Sequence, residues 1–162
     1  MKTYNILFLC THNSARSILG EALASTDPSG RLVGFSAGST PGGKVNPFAA
    51  ELALKMGYPA DQMRSKSWDE FALPGAPAMD FIITVCDNAA GEVCPVWPGK
   101  PATAHWGFPD PSQVAGNDDA KRKAFHEVML GLRRRIELLA ALPLEKLDAM
   151  SLQSELNKLA SL

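Results

Sequence analysis

The feature that most narrows the fold is the stretch NILFLCTHNSARSILGEAL, residues 5–23. An apolar run over residues 4–9, too short for a helix, ends at Cys10. Small and polar residues follow, and helical spacing resumes at Ser17 with Ile18, Leu19, Ala22 and Leu23 on one face. An unbroken apolar run of this length predicts a strand buried on both faces of a parallel sheet. The loop after it then leads into a helix N-terminus, where unpaired N–H groups and the positive dipole end favour an anion. Arg16 can add a bidentate fork to such an anion, and the same field is expected to lower the pKa of Cys10. Asn13 tolerates the left-handed backbone that a tight cradle of N–H groups requires. A cysteine and an arginine separated by five residues form a weak pattern alone; placement between strand and helix makes it specific, against the alternative of an inert buried cysteine.

The rest of the chain alternates strands with helices. Residues 31–36, 80–86 (DFIITVC) and 103–106 read as three further strands. Asn46 and Pro47 open a helix that runs to residue 55 or 56, and Ser67 caps a short helix over residues 68–71. Phe125, Met129, Leu132, Ile136 and Leu139 recur at helical spacing within 118–142, with Arg133, Arg134 and Arg135 assigned to the solvated face. A last amphipathic segment, residues 145–159, carries Leu147, Leu152, Leu156 and Leu159, which need cover. The pattern predicts an α/β fold in three layers around a four-stranded parallel sheet of order 2-1-3-4. Residues 1–142 would form the main domain and residues 143–162 a C-terminal helical extension. In such a sheet the ligand site lies beyond the carboxyl ends of strands one and three, the ends that carry Cys10 and Cys86. Residues 87–101, with two glycines and three prolines, read as a long surface loop bearing Cys94.

Sixteen basic residues nearly balance seventeen acidic ones, which disfavours a nucleic-acid binder or a polybasic membrane anchor. No segment is apolar for long enough to span a bilayer, and the first residues lack a leader pattern, so the expected location is cytoplasmic. Three cysteines are an odd set for a disulfide framework and point to buried or reactive thiols. A zinc site is disfavoured by the lack of a close Cys-x-x-Cys pair. No metal and no organic cofactor is expected.

A cysteine, five residues and Arg-Ser directly after the first strand form the signature of the low-molecular-weight protein tyrosine phosphatase superfamily, which the chain resembles over about residues 4–140. Within it the chain looks most like the arsenate reductases, on LCTHNSARS (9–17), SAGS (36–39), TVCDNAAGEVCP (84–95) and HWGFPDP (105–111). The resemblance implies that Thr11, His12, Asn13, Ser14, Ala15, Arg16 and Ser17 bind arsenate, that Cys10 attacks arsenic and that Asp110 protonates the departing oxygen. Ser17 could also donate a hydrogen bond to the thiolate. Arsenate reduction needs two electrons, hence a second thiol, and adjacent strands about 4.8 Å apart put Cys86 within disulfide reach of Cys10. The resemblance further implies that Cys86 attacks Cys10 with loss of arsenite, and that Cys94 then takes the disulfide outward to thioredoxin, or alternatively to glutaredoxin and glutathione. His105, Trp106 and Trp97 read as packing around the site. Some related reductases hold a potassium ion through residues matching Asn13, Glu21 and Ser36; here Lys66 could place its ammonium there instead. The rival enzyme is a tyrosine phosphatase using Cys10, Arg16 and Asp110, although Ser112-Gln113 stands where phosphatases carry aromatic recognition residues. A non-enzymatic rival is an oxyanion or thiol-redox sensor, which no effector module in the sequence supports.

Overall fold

A computed structural model of the chain describes residues 2–86 and 101–162. The first strand, β1 (Tyr4–Leu9), is central and flanked by β2 (Leu32–Ala37) and β3 (Phe81–Thr84), with β4 (Ala102–His105) outside β3. All three pairings are parallel, so the sheet has the expected order β2-β1-β3-β4. Leu9 pairs with Ala37 on one side and with Thr84 on the other, which brings the ends of three strands to one edge.

β1 is buried on both faces because its side chains alternate between two apolar clusters. Ile6 and Phe8 join Phe81, Ile83, Ile18, Leu19, Leu132 and Ile136, whereas Leu7 and Leu9 meet Ile82, Trp68 and Phe71. Helix α1 (Arg16–Ser25) lies directly against this sheet: a Cβ on Gly20 would stand 2.5 Å from the Phe8 ring. Helices α2 (Pro47–Lys55), α3 (Asp118–Ala141) and α4 (Ala149–Leu159) each begin at a side-chain cap. Asn46 accepts from the Phe48 N–H, Asn117 from Ala120 and Asp148 from Ser151. Ser67 likewise caps a 3-10 turn over Trp68–Phe71.

Several boundaries differ from expectation. The third strand is shorter than residues 80–86, because Asp80 turns its carboxylate back onto the Asn5 N–H and Cys86 leaves the ladder after Val85 donates to Leu9. The last helix starts at residue 149 rather than 145; Leu144–Lys146 form a 3-10 turn and Asp148 supplies the cap. Arg135 is not on a solvated face but buried beneath the C-terminal segment. The expected loop 87–101, with Cys94 and Trp97, lies outside the described residues except for Pro101. Among the described residues no helix is long and apolar enough to cross a membrane.

Candidate active site

α1 differs from α2, α3 and α4, because its N-terminus at Ala15 receives no side-chain cap. The loop before it is held from outside. Thr11 O accepts from Thr40 N, His12 O from Gly42 N and Ser65 Oγ, and Ser14 O from Asn46 N. In a trans peptide the N–H points opposite to the carbonyl, so the N–H groups of His12, Asn13 and Ala15 face away from those outer partners. Asn13 N–H reaches the Cys10 sulfur. Asn13 is the one non-glycine residue with positive φ among those described, at 48°, as a cradle of this shape demands. Gly38, at the end of β2, allows the loop its place: a Cβ there would lie 2.5 Å from Thr11 O and 2.6 Å from Cys10 O.

The two described thiols meet under this loop. Cys10 and Cys86 are both buried, neither is in a disulfide, and their side chains are in hydrogen-bonding contact. Thr11 Oγ1 lies 3.7 Å from the Cys86 sulfur. The Cys10 thiol is pushed up rather than down, first by the hydrogen bond with Cys86, then by burial and by repulsion from the neighbouring sulfur. Arg16 and the Asn13 N–H act in the expected downward direction but are outweighed. Cys86, far from Cys10 in sequence, is the source of this departure from the expected downward shift.

Arg16 stands at the mouth. Its Nη1 donates to Phe108 O at 2.8 Å and its Nη2 lies 3.7 Å from Asp110 Oδ2. Its Nε is buried without a partner among the described residues. Buried donors are rarely left so. Asp110 divides its carboxylate: Oδ1 accepts from Ser112 N and Oγ, capping the 3-10 turn Pro111–Gln113, while Oδ2 faces Arg16. Ser17 Oγ accepts from Asn13 Nδ2 at 2.8 Å, which leaves its own proton to donate. His12 is exposed, with Nδ1 3.1 Å from Thr40 O.

Behind the loop is a buried polar cluster. Lys66 Nζ contacts Arg64 O (2.8 Å), Ser36 Oγ (3.2 Å), Glu21 Oε1 (3.4 Å) and Asn13 Oδ1 (3.5 Å). Ser36 donates to Glu21 Oε1 at 2.6 Å and Tyr58 donates to Oε2. Burial pushes the Lys66 ammonium down, and the Glu21 charge opposes it. A potassium ion does not fit among Asn13, Glu21 and Ser36, because the ammonium already lies within reach of all three. The melting temperature is therefore expected to be the same in sodium and potassium chloride. Lys66→Met, which strands the buried Glu21 charge, is expected to lower unfolding stability by about 3 kcal/mol in urea titrations. A rise in melting temperature specific to potassium would contradict this account.

Two expected neighbours lie elsewhere. Trp106 packs on Phe8 and donates from Nε1 to Leu156 O at 3.2 Å, holding α4 rather than lining the site. His105 is exposed on β4, with Nδ1 2.8 Å from Thr84 Oγ1. Conversely, the sequence reading missed Phe108, whose carbonyl grips Arg16. No side-chain type could have signalled a main-chain acceptor.

The family model for low molecular weight phosphotyrosine protein phosphatase matches residues 5–153. An arsenate reductase of Halalkalibacterium halodurans is 34% identical over 135 residues, covering 83% of this chain and 94% of that protein. One of Bacillus subtilis is 31% identical over 137 residues, covering 85% and 95%. The solved structure of an arsenate reductase from Archaeoglobus fulgidus superimposes with a TM-score of 0.60 at 28% identity, covering 85% of this chain and 99% of that one. The chain belongs to the low molecular weight phosphotyrosine protein phosphatase family.

Proposed function

We propose that the protein reduces arsenate to arsenite, with Cys10 as nucleophile and thiols as the electron source. The observation that carries this reading is the second buried thiol, Cys86, in contact with Cys10 beneath an uncapped helix N-terminus. A phosphate ester hydrolase needs a nucleophile, an anion cradle and an acid, but no adjacent electron donor. The names of the relatives point the same way.

In this reading a tetrahedral oxyanion sits against the N–H groups of residues 11–17 and satisfies Arg16 Nε. The Cys10 thiol passes its proton to the bound oxyanion, and the sulfur displaces the oxygen so protonated and forms an S–As bond; that oxygen departs as water after a second proton from Asp110. Cys86 then attacks the Cys10 sulfur. A Cys10–Cys86 disulfide forms, the S–As bond breaks, and its electron pair leaves with arsenic, which is reduced from As(V) to As(III) while two thiols are oxidised. Cys94, outside the described residues, attacks Cys86 and releases Cys10. The resulting Cys86–Cys94 disulfide is reduced by an external dithiol, of which thioredoxin is the proposed example.

The test is NADPH oxidation by thioredoxin and its reductase on addition of arsenate, with an aryl phosphate assay alongside. Arsenate-dependent oxidation is the expected result. Rapid aryl phosphate hydrolysis without arsenate turnover would make the protein a phosphatase. Arsenate turnover that depends on glutathione and glutaredoxin instead would keep the reductase and replace the partner.

A further inference from the structure

Arg135 sits in the middle of α3, yet only 7% of it is exposed. Its donors go to main-chain oxygens: Nε to Leu159 (2.9 Å), Nη1 to Gly131 (3.1 Å) and Nη2 to Leu162 (2.8 Å). The first of these places a cation at the C-terminus of α4, where the helix dipole favours it. Two of the three acceptors lie beyond residue 153, where the family match ends.

This guanidinium lies over the Phe108 ring, with Cζ 4.7 Å from the ring centroid. On α3 the ring also presses on Gly131, where a Cβ would stand 2.6 Å from Cε1. The main chain of Phe108 reaches into the site: its N–H donates to Val85 O at 3.2 Å, next to Cys86, and its carbonyl accepts from Arg16 Nη1 at 2.8 Å. Two residues earlier, Trp106 is tied to Leu156. Phe108 is thus gripped at its ring by α3 and the C-terminal segment, and itself grips both Arg16 and the approach to Cys86. An apolar side chain could fill the same space without the cost of burying a charge, so packing alone does not account for an arginine here.

We propose that Arg135 is a positioning residue for the oxyanion site: fixed by the C-terminal segment, it clamps the Phe108 ring and so sets the Arg16 guanidinium. The inference rests on the reading of residues 10–17 as an oxyanion site. Sub-ångström drift of Arg16 weakens its grip on a bound anion, because bidentate recognition is strongly directional.

The experiment uses the full chain, with two readouts: the NMR resonance of Arg16 Nε–H, assigned by its loss in Arg16→Lys, and calorimetric affinity for inorganic phosphate. Arg135→Met is expected to shift the resonance and weaken phosphate binding about tenfold. Arg135→Lys does not rescue, since lysine keeps the charge but not the plane. Gly131→Ala, which displaces the ring, gives the same signature and decides the matter alone if Arg135→Met does not fold. Asp148→Ala removes only the cap of α4, and lowers the melting temperature with resonance and affinity unchanged. The proposal is overturned if Arg135→Met and Gly131→Ala lower the melting temperature yet leave the resonance in place and the affinity within about twofold. A resonance that follows Arg135 in a protein unable to turn over arsenate supports the positioning role and sinks only the assigned reaction.

Discussion

Cys10→Ser is expected to leave the protein folded and to reduce arsenate turnover at least about 10⁴-fold. Serine fills nearly the same volume in the buried position at the end of β1, so the loop keeps its outer hydrogen bonds to Thr40, Gly42 and Asn46. It cannot supply the chemistry. Its hydroxyl is a far weaker nucleophile, and an oxygen bound to arsenic cannot accept attack by Cys86 to form a disulfide. Phosphate affinity should survive, because binding depends on Arg16 and the loop N–H groups. Calorimetry with inorganic phosphate beside the turnover assay separates the two roles; turnover that survives the substitution would remove Cys10 from the mechanism.

The second large effect belongs to Cys86→Ser. The first half of the reaction should remain, since Cys10, Arg16 and Asp110 are untouched, but no second sulfur is present to release arsenic as arsenite. Arsenite production is expected to fall to background. The substitution also reports on the thiol pair. Hydrogen bonding and charge from Cys86 raise the Cys10 thiol above its ordinary range, so removing that sulfur should lower the pH at which iodoacetamide alkylates Cys10. An unchanged or higher alkylation midpoint would mean that Cys86 does not raise the Cys10 thiol.

How far the sequence alone could lead depended on the range of each interaction. β1, α1, the Asn46 cap and the turn after Ser67 follow from neighbouring residues, through a continuous apolar run, helical apolar spacing and side chains that accept from the N–H groups beside them. The parallel order followed from short right-handed connections, and with it the approach of Cys10 to Cys86. Asn13 was legible because few residues other than glycine accept a positive φ. What escaped was long-range. Arg135 reads as solvated because it adjoins two other arginines, and the folded C-terminal segment supplies two of its three acceptors. Trp106 reads as packing around the site, and it does pack in the core, but its indole N–H is bound fifty residues away, on α4. The direction of the Cys10 shift likewise depended on a balance between burial, Cys86 and Arg16 that spacing does not contain.

The central claim, that Cys10 and Cys86 together donate the electron pair, is tested most directly in a single turnover. Fully reduced Cys94→Ser protein is mixed with arsenate in the absence of any external reductant. Arsenite is then quantified, and the thiols are mapped by mass spectrometry after alkylation. The account predicts one arsenite per chain and a Cys10–Cys86 disulfide. Arsenite formed while Cys10 and Cys86 both remain reduced, or no arsenite at all, would contradict it.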